Sequence, residues 1–144
     1  MATDRKAHVV WQGDLMNGSG TIDTVTSGAL GPLDVSWPAR SEEPNGKTSP
    51  EELIAAAWAS CFSMALSAGL AKAGTPPERL ETSVVVTLQP GTGITKGVIT
   101  VRGTVPGLDA AGFEEAAKGA KAGCPVSQAL TGIPEVTLDA SLAG

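Results

Sequence analysis

Cys61 and Cys124 are the only thiols in this 144-residue chain, and two free thiols can do more together than either alone. A thiolate is a nucleophile, and a second thiol within reach can close the first sulfur, once oxidised, into a disulfide. Their sequence surroundings differ. Cys61 stands in an alanine-rich apolar run, where cysteine behaves as a small buried hydrophobe and burial raises its pKa unless a cation lies close. Cys124 precedes Pro125 in Cys-Pro-Val-Ser, a helix start at which unpaired N–H groups and the helix dipole favour a thiolate. From the residues alone Cys124 is the better nucleophile, and plain core packing stays open for both. His8, the one histidine, leaves too few soft ligands for a structural zinc site. No Ser/His/Asp or Cys/His hydrolase arrangement is supported.

The element that carries Cys61 is a long helix. Ser49 reads as its N-cap, Pro50 occupies the first helical position, and Glu52 falls where a capping box needs an acid, which leaves Glu51 without a capping duty. From Leu53 to Ala73 only Ser60, Ser63, Ser67 and Lys72 are polar, so no solvent stripe can be drawn and the helix is expected to be buried on most sides. Gly74, Pro76 and Pro77 stop it after about 24 residues, roughly 36 Å. Its many Ala, Gly and Ser residues, with no basic flank, argue for a soluble core helix over a membrane span. Small residues also let a sheet or a second copy approach closely, so a dimer is expected.

The rest of the chain supplies strands and shorter helices. Residues 8–12 and 20–26 are β-branched and partly alternating, with a short strand expected over 33–37, then a loop from Pro38 to Lys47 that carries Arg40. Residues 81–88 and 94–105 form a second pair of strands around a Pro-Gly turn. Asp109 caps an amphipathic helix over 110–122, Pro125 opens a short one, and a last strand covers 135–142. This order predicts an α+β fold in one domain, residues 1–144, with helices gathered on one sheet face. A net charge of −5 argues against nucleic acid and anionic membrane as partners. The amino terminus has no apolar segment behind its charges, which points to the cytoplasm, where the thiols stay reduced unless they cycle.

Three stretches together carry a resemblance: Ser-Pro-Glu-Glu-Leu-Ile-Ala-Ala-Ala-Trp-Ala-Ser-Cys-Phe-Ser-Met-Ala-Leu (49–66), Val-Pro-Gly-Leu-Asp (105–109) and Cys-Pro-Val-Ser (124–127). The chain resembles the OsmC/Ohr family, osmotically inducible and organic-hydroperoxide-resistance proteins, and is closer to the OsmC branch. The resemblance implies antiparallel sheets around a long buried central helix, in an intertwined homodimer. It implies a peroxidase of organic hydroperoxides, and of hydrogen peroxide as a second substrate, working without cofactor or metal. Cys61 would be the peroxidatic cysteine and Cys124 the resolving one, closing an intramolecular disulfide that an external dithiol of lipoyl type reduces. Arg40, ahead of the helix, would lower the Cys61 pKa and align the peroxide, with Glu51 orienting Arg40. In one unbroken helix Glu51 and Cys61 stand about 15 Å apart along the axis, so Arg40 or a second subunit must bridge them. Many relatives have His where this chain has Trp58, which with Phe62 is expected to form an apolar wall for the substrate, ordinary core packing staying open for Trp58 on equal terms. The reading from another class is a non-catalytic stress-associated dimer that binds a small hydrophobic ligand. A disulfide oxidoreductase is disfavoured because no Cys-x-x-Cys pair exists.

Overall fold

The computed structural model describes residues 1–143, so Gly144, the last residue of the expected domain, lies outside the described residues. The chain divides into two compact units, Met1–Leu53 and Ile54–Gly144.

The first unit is built on an antiparallel sheet in which β1 (Ala7–Gln12), β2 (Ser19–Val25) and β3 (Leu33–Val35) lie in sequence order. The β1–β2 turn is held by Asp14, whose carbonyl accepts from Gly18 N–H at 2.9 Å and whose carboxylate accepts from Asn17 N–H at 2.7 Å. At Gly20 the pairing strands leave no room for a side chain, because a Cβ there would meet the Trp11 ring at 2.7 Å and Val35 at 2.9 Å. Where the sequence predicts a strand to Trp37 and then a loop, the structure has a short helix, α1 (Trp37–Ser41). The cause is local: Ser36 caps it by accepting from Ala39 N–H at 3.2 Å, and Pro38 presets the helical φ. Arg40 therefore sits on a helix and not on a loop.

The long helix, α2 (Pro50–Lys72), starts and ends as expected. Ser49 Oγ accepts from Glu52 N–H at 3.1 Å. The Glu52 carboxylate turns instead to the Thr48 hydroxyl, from which it accepts at 2.9 Å. At the other end Gly74 adopts φ +89°, and the N–H groups of Gly74 and Thr75 return to the carbonyls of Ala71 and Leu70. Although α2 is long and apolar enough to cross a membrane, its stripe of Trp58, Phe62, Leu66 and Leu70, every fourth residue, is buried in the core of the second unit. The expectation of burial on most sides is corrected, since Ala56, Ala57, Ser60, Met64, Ala68 and Ala71 are exposed. Among the described residues of the second unit, the core covers the Trp58–Leu70 stripe of α2 and leaves the rest of its circumference uncovered.

In the second unit β4 (Arg79–Gln89) and β5 (Gly93–Thr104) form a long antiparallel hairpin with a bulge at Thr87/Leu88. Then α3 (Ala110–Gly123) and α4 (Pro125–Ala129) lead to β6 (Glu135–Leu142), which pairs parallel to β5. This sheet is thus mixed. A parallel partner needs a crossover, and α3 with α4 provides it. Asp109 caps α3 by accepting from Gly112 N–H at 2.8 Å, and α3 turns Phe113, Ala117 and Ala120 onto Ile99 and Val101 of β5. Close packing extends to the backbone at Gly103, where a Cβ would stand 2.6 Å from the Phe113 ring. Gly103→Ala should therefore destabilise the protein by about 1–3 kcal/mol, read as a lower midpoint in urea unfolding, because the buried ring cannot retreat.

Candidate active site

Cys61 lies on α2, one turn beyond Trp58, and is half-buried, whereas Cys124 is 0 % exposed between α3 and α4. Both thiols are free. They lie near each other, Cys61 packed against the core cluster that contains Cys124, so a charge on one is felt by the other. Burial pushes the Cys61 thiol up, and Cys124 pushes it further, both by hydrogen bonding and by charge, against a weaker pull from the Val126 N–H. For Cys124 burial acts in the same direction, but it is outweighed by the Cys61 S–H, the N–H and hydroxyl of Ser127 and the Val126 N–H. Its thiol is held below the ordinary value. The Cys124 sulfur makes no capping hydrogen bond of close geometry in α4, so these donors act from longer range than a capped helix start implies.

Around the sulfurs the structure is tightly specified. Trp58 is 1 % exposed, its ring lies against Gly97 of β5 with space for no Cβ (2.7 Å), and its Nε1–H donates to Ser127 Oγ at 2.7 Å. A buried indole needs such a partner, but no sequence signal names Ser127 as the residue that supplies it. Trp58 and Ser127 also line a cavity of about 820 Å³ between α3, α4 and β6, with Leu130, Ile133, Lys118 and Lys121. Neither cysteine is among its lining residues, nor is Phe62, which is fully buried in the core beside Leu66.

Arg40 and Glu51 meet within the first unit. Arg40 Nε donates to both Glu51 oxygens, at 3.0 and 3.1 Å, and Nη2 donates to Oε1 at 2.7 Å, a two-pronged geometry. Glu51 is buried, and Arg40 also lies 6.0 Å over the Trp37 ring. The hydrogen bonds to Glu51 raise the Arg40 pKa further, so the guanidinium is charged throughout the accessible range. The freedom of Glu51 from capping is thus used on Arg40. His8, for which no carboxylate stands at motif spacing, has one across the sheet: Nδ1 lies 2.7 Å from Asp23 Oδ1, an exposed pair that lowers the Asp23 pKa.

An OsmC-like protein family model matches residues 43–139, more than half of the chain. The chain belongs to the OsmC-like family. Peroxiredoxin OsmC of Escherichia coli K12 is 43 % identical over 145 residues, covering 99 % of each chain. Among solved structures, an organic hydroperoxide resistance protein OsmC of Legionella pneumophila superposes with TM-score 0.71 at 26 % identity, over 94 % of this chain and 96 % of that one. The organic hydroperoxide resistance protein OhrB of Bacillus subtilis gives 0.64 at 25 % identity, over 96 % and 98 %. The α+β architecture around a long central helix is thus the OsmC-like one.

Two outcomes follow from this geometry. Removing the Cys124 thiol takes away two of the influences that raise Cys61, so Cys124→Ala should lower the midpoint of Cys61 ionisation, followed by thiolate ultraviolet absorbance across pH. Cys61→Ala should do the opposite to Cys124, whose S–H donor is then lost. Separately, Glu51→Ala strands a partly buried guanidinium and should cost about 1–3 kcal/mol in denaturant unfolding, less than a fully buried pair because Arg40 is one-third exposed.

Proposed function

We propose that this OsmC-like chain is a thiol-dependent peroxidase that reduces organic hydroperoxides, and hydrogen peroxide less well, through Cys61 and Cys124. The observation that carries this reading is the nearness of two free thiols around one core cluster, one partly exposed and one wholly buried. Its relatives bear the names peroxiredoxin and organic hydroperoxide resistance protein, in keeping with it.

Access assigns the roles. Cys61 is the sulfur a hydroperoxide can meet, and its attack on the O–O bond gives Cys61–SOH and an alcohol. The Cys124 sulfur, whose pKa is held below the ordinary value, then attacks the sulfenic sulfur as the thiolate and closes the disulfide, with hydroxide leaving and taking up a proton as water. An external dithiol, of lipoyl type in this reading, returns both sulfurs to thiols. The pull of burial on Cys61 must be offset for it to attack as a thiolate, and this is the task we assign to Arg40, held in its working geometry by Glu51. Trp58, which lines the cavity beside α4, would be the apolar wall that favours a substrate with a hydrocarbon tail, while Phe62, fully buried in the core, backs the helix behind it. Residues 1–144 act as one OsmC-like domain in a soluble cytoplasmic homodimer, with the exposed apolar face of α2 as the surface that asks for a second copy.

Intact mass after one equivalent of an alkyl hydroperoxide tests the cycle. Wild type should lose two hydrogens, and the Cys124→Ser protein should hold a trappable sulfenic acid on Cys61. A sulfenic acid on Cys124 would reverse the roles, and no reaction in any variant would reject the peroxidase reading. Arg40→Met should slow Cys61 oxidation by about two orders of magnitude, and Arg40→Lys should recover little of it, since a point charge cannot reproduce the fork.

A further inference from the structure

Trp58 and Ser127 stand in mirrored positions about the two sulfurs, three residues before Cys61 on α2 and three residues after Cys124 on α4. The hydrogen bond of 2.7 Å between them spans 69 positions of sequence. Its two ends are not equally anchored. Trp58 cannot shift, being enclosed in the core with its ring against the Gly97 backbone. By contrast α4 has five residues, none fully buried, no side-chain cap, and only Val126 packed against the core, with Leu130 just beyond it. Cys124 is itself buried in the core at the end of α3, but α4, which follows it and closes over the sulfur, has few other specific side-chain ties to the helix that bears Cys61.

We propose that the Trp58–Ser127 hydrogen bond is a clamp that holds Cys124 within reach of oxidised Cys61, so that Trp58 and Ser127 are positioning residues that decide between disulfide formation and over-oxidation. The inference rests on the peroxidase reading. Once Cys61–SOH exists, two reactions compete for it. Condensation with the Cys124 thiol forms the S–S bond and releases water. Attack by the same sulfur on a second hydroperoxide gives Cys61–SO₂H and an alcohol, with no return by thiol exchange. The first is intramolecular and gains from any restraint that keeps the sulfurs together, while the second depends only on peroxide concentration. Ser127 contributes again at the sulfur, since its hydroxyl and N–H favour the ionised form of Cys124. A ring N–H on one side and a hydroxyl on the other make the clamp a neutral one that does not titrate in the range where the thiols do.

The test compares wild type with Ser127→Ala, Trp58→Phe, Ser127→Thr and, as a core-weakened control away from the sulfurs, Leu66→Val. Two quantities are read: the equilibrium between the dithiol and the disulfide in a glutathione buffer, and the fraction of Cys61 carrying two added oxygens after excess alkyl hydroperoxide, by mass. Ser127→Ala and Trp58→Phe should each lower the disulfide equilibrium constant by about five- to tenfold, the worth of one hydrogen bond, and raise the sulfinic fraction accordingly. Ser127→Thr, which keeps the hydroxyl, should stay close to wild type, and Leu66→Val should change neither quantity. Equal values for wild type, Ser127→Ala and Trp58→Phe would overturn the clamp, as would an equally large effect of Leu66→Val. If hydroperoxide leaves the wild-type thiols untouched, it is the peroxidase reading that fails, and the glutathione equilibrium still decides whether the clamp exists.

Discussion

The second unit depends on one stripe of α2 meeting the middle of β5 with nothing in between. Trp58, Phe62, Leu66 and Leu70 recur at every fourth residue and enter a core completed by Ile99, Val101 and Phe113. The constraint is sharpest at Gly97, because only a residue without a side chain lets the strand backbone touch the indole. Side chains at i and i+4 share a helix face, so fixing this stripe also fixes the azimuth of Cys61, which falls beside it and not within it. That places the sulfur at the edge of the core, half-buried, where its chemistry can be both shielded and reached. Phe113 and Gly103 repeat the device six residues along the same face of β5, so the crossover that carries Cys124 is set by the same kind of backbone-to-ring contact.

How far the sequence could be read depends on how local each cause is. The ends of α2 were legible because Ser49, Pro50 and Gly74 act within one turn of themselves, and the buried face of α3 was legible from Phe113, Ala117 and Ala120. The short helix α1 was missed although Ser36 and Pro38 are a helix-start signal, since five residues show no hydrophobic period to support it. Uniform apolarity in α2 predicted burial all round, but it cannot say how much cover a single chain owns. The parallel pairing of β6 was not legible either, because strand direction is decided by where the crossover lands.

At the site the two sulfurs, Arg40 and Glu51 were named from a motif resemblance, and the residues on their own argued for a different order. The helix-cap argument gave Cys124 the lower pKa, and that direction holds in the structure, but through Cys61, Ser127 and Val126 and without a close cap bond. Ser127 was invisible as a partner of Trp58 because nothing in sequence links positions so far apart. The two thiols shift in opposite directions, Cys61 up and Cys124 down, because burial is offset at Cys124 by the donors around it and is not offset at Cys61.

The parallel crossover has a consequence in time. An antiparallel hairpin such as β4–β5 can close as soon as its turn is made, whereas β6 has no partner face until α3 and α4 have been synthesised and laid over the sheet. Cys124 lies inside that crossover, ahead of β6 in the chain. The second sulfur is thus secured late in folding, after the helix carrying the first has a strand to rest on. The two cysteines stand 63 positions apart in the chain, so their nearness is a product of tertiary closure and of neither segment alone.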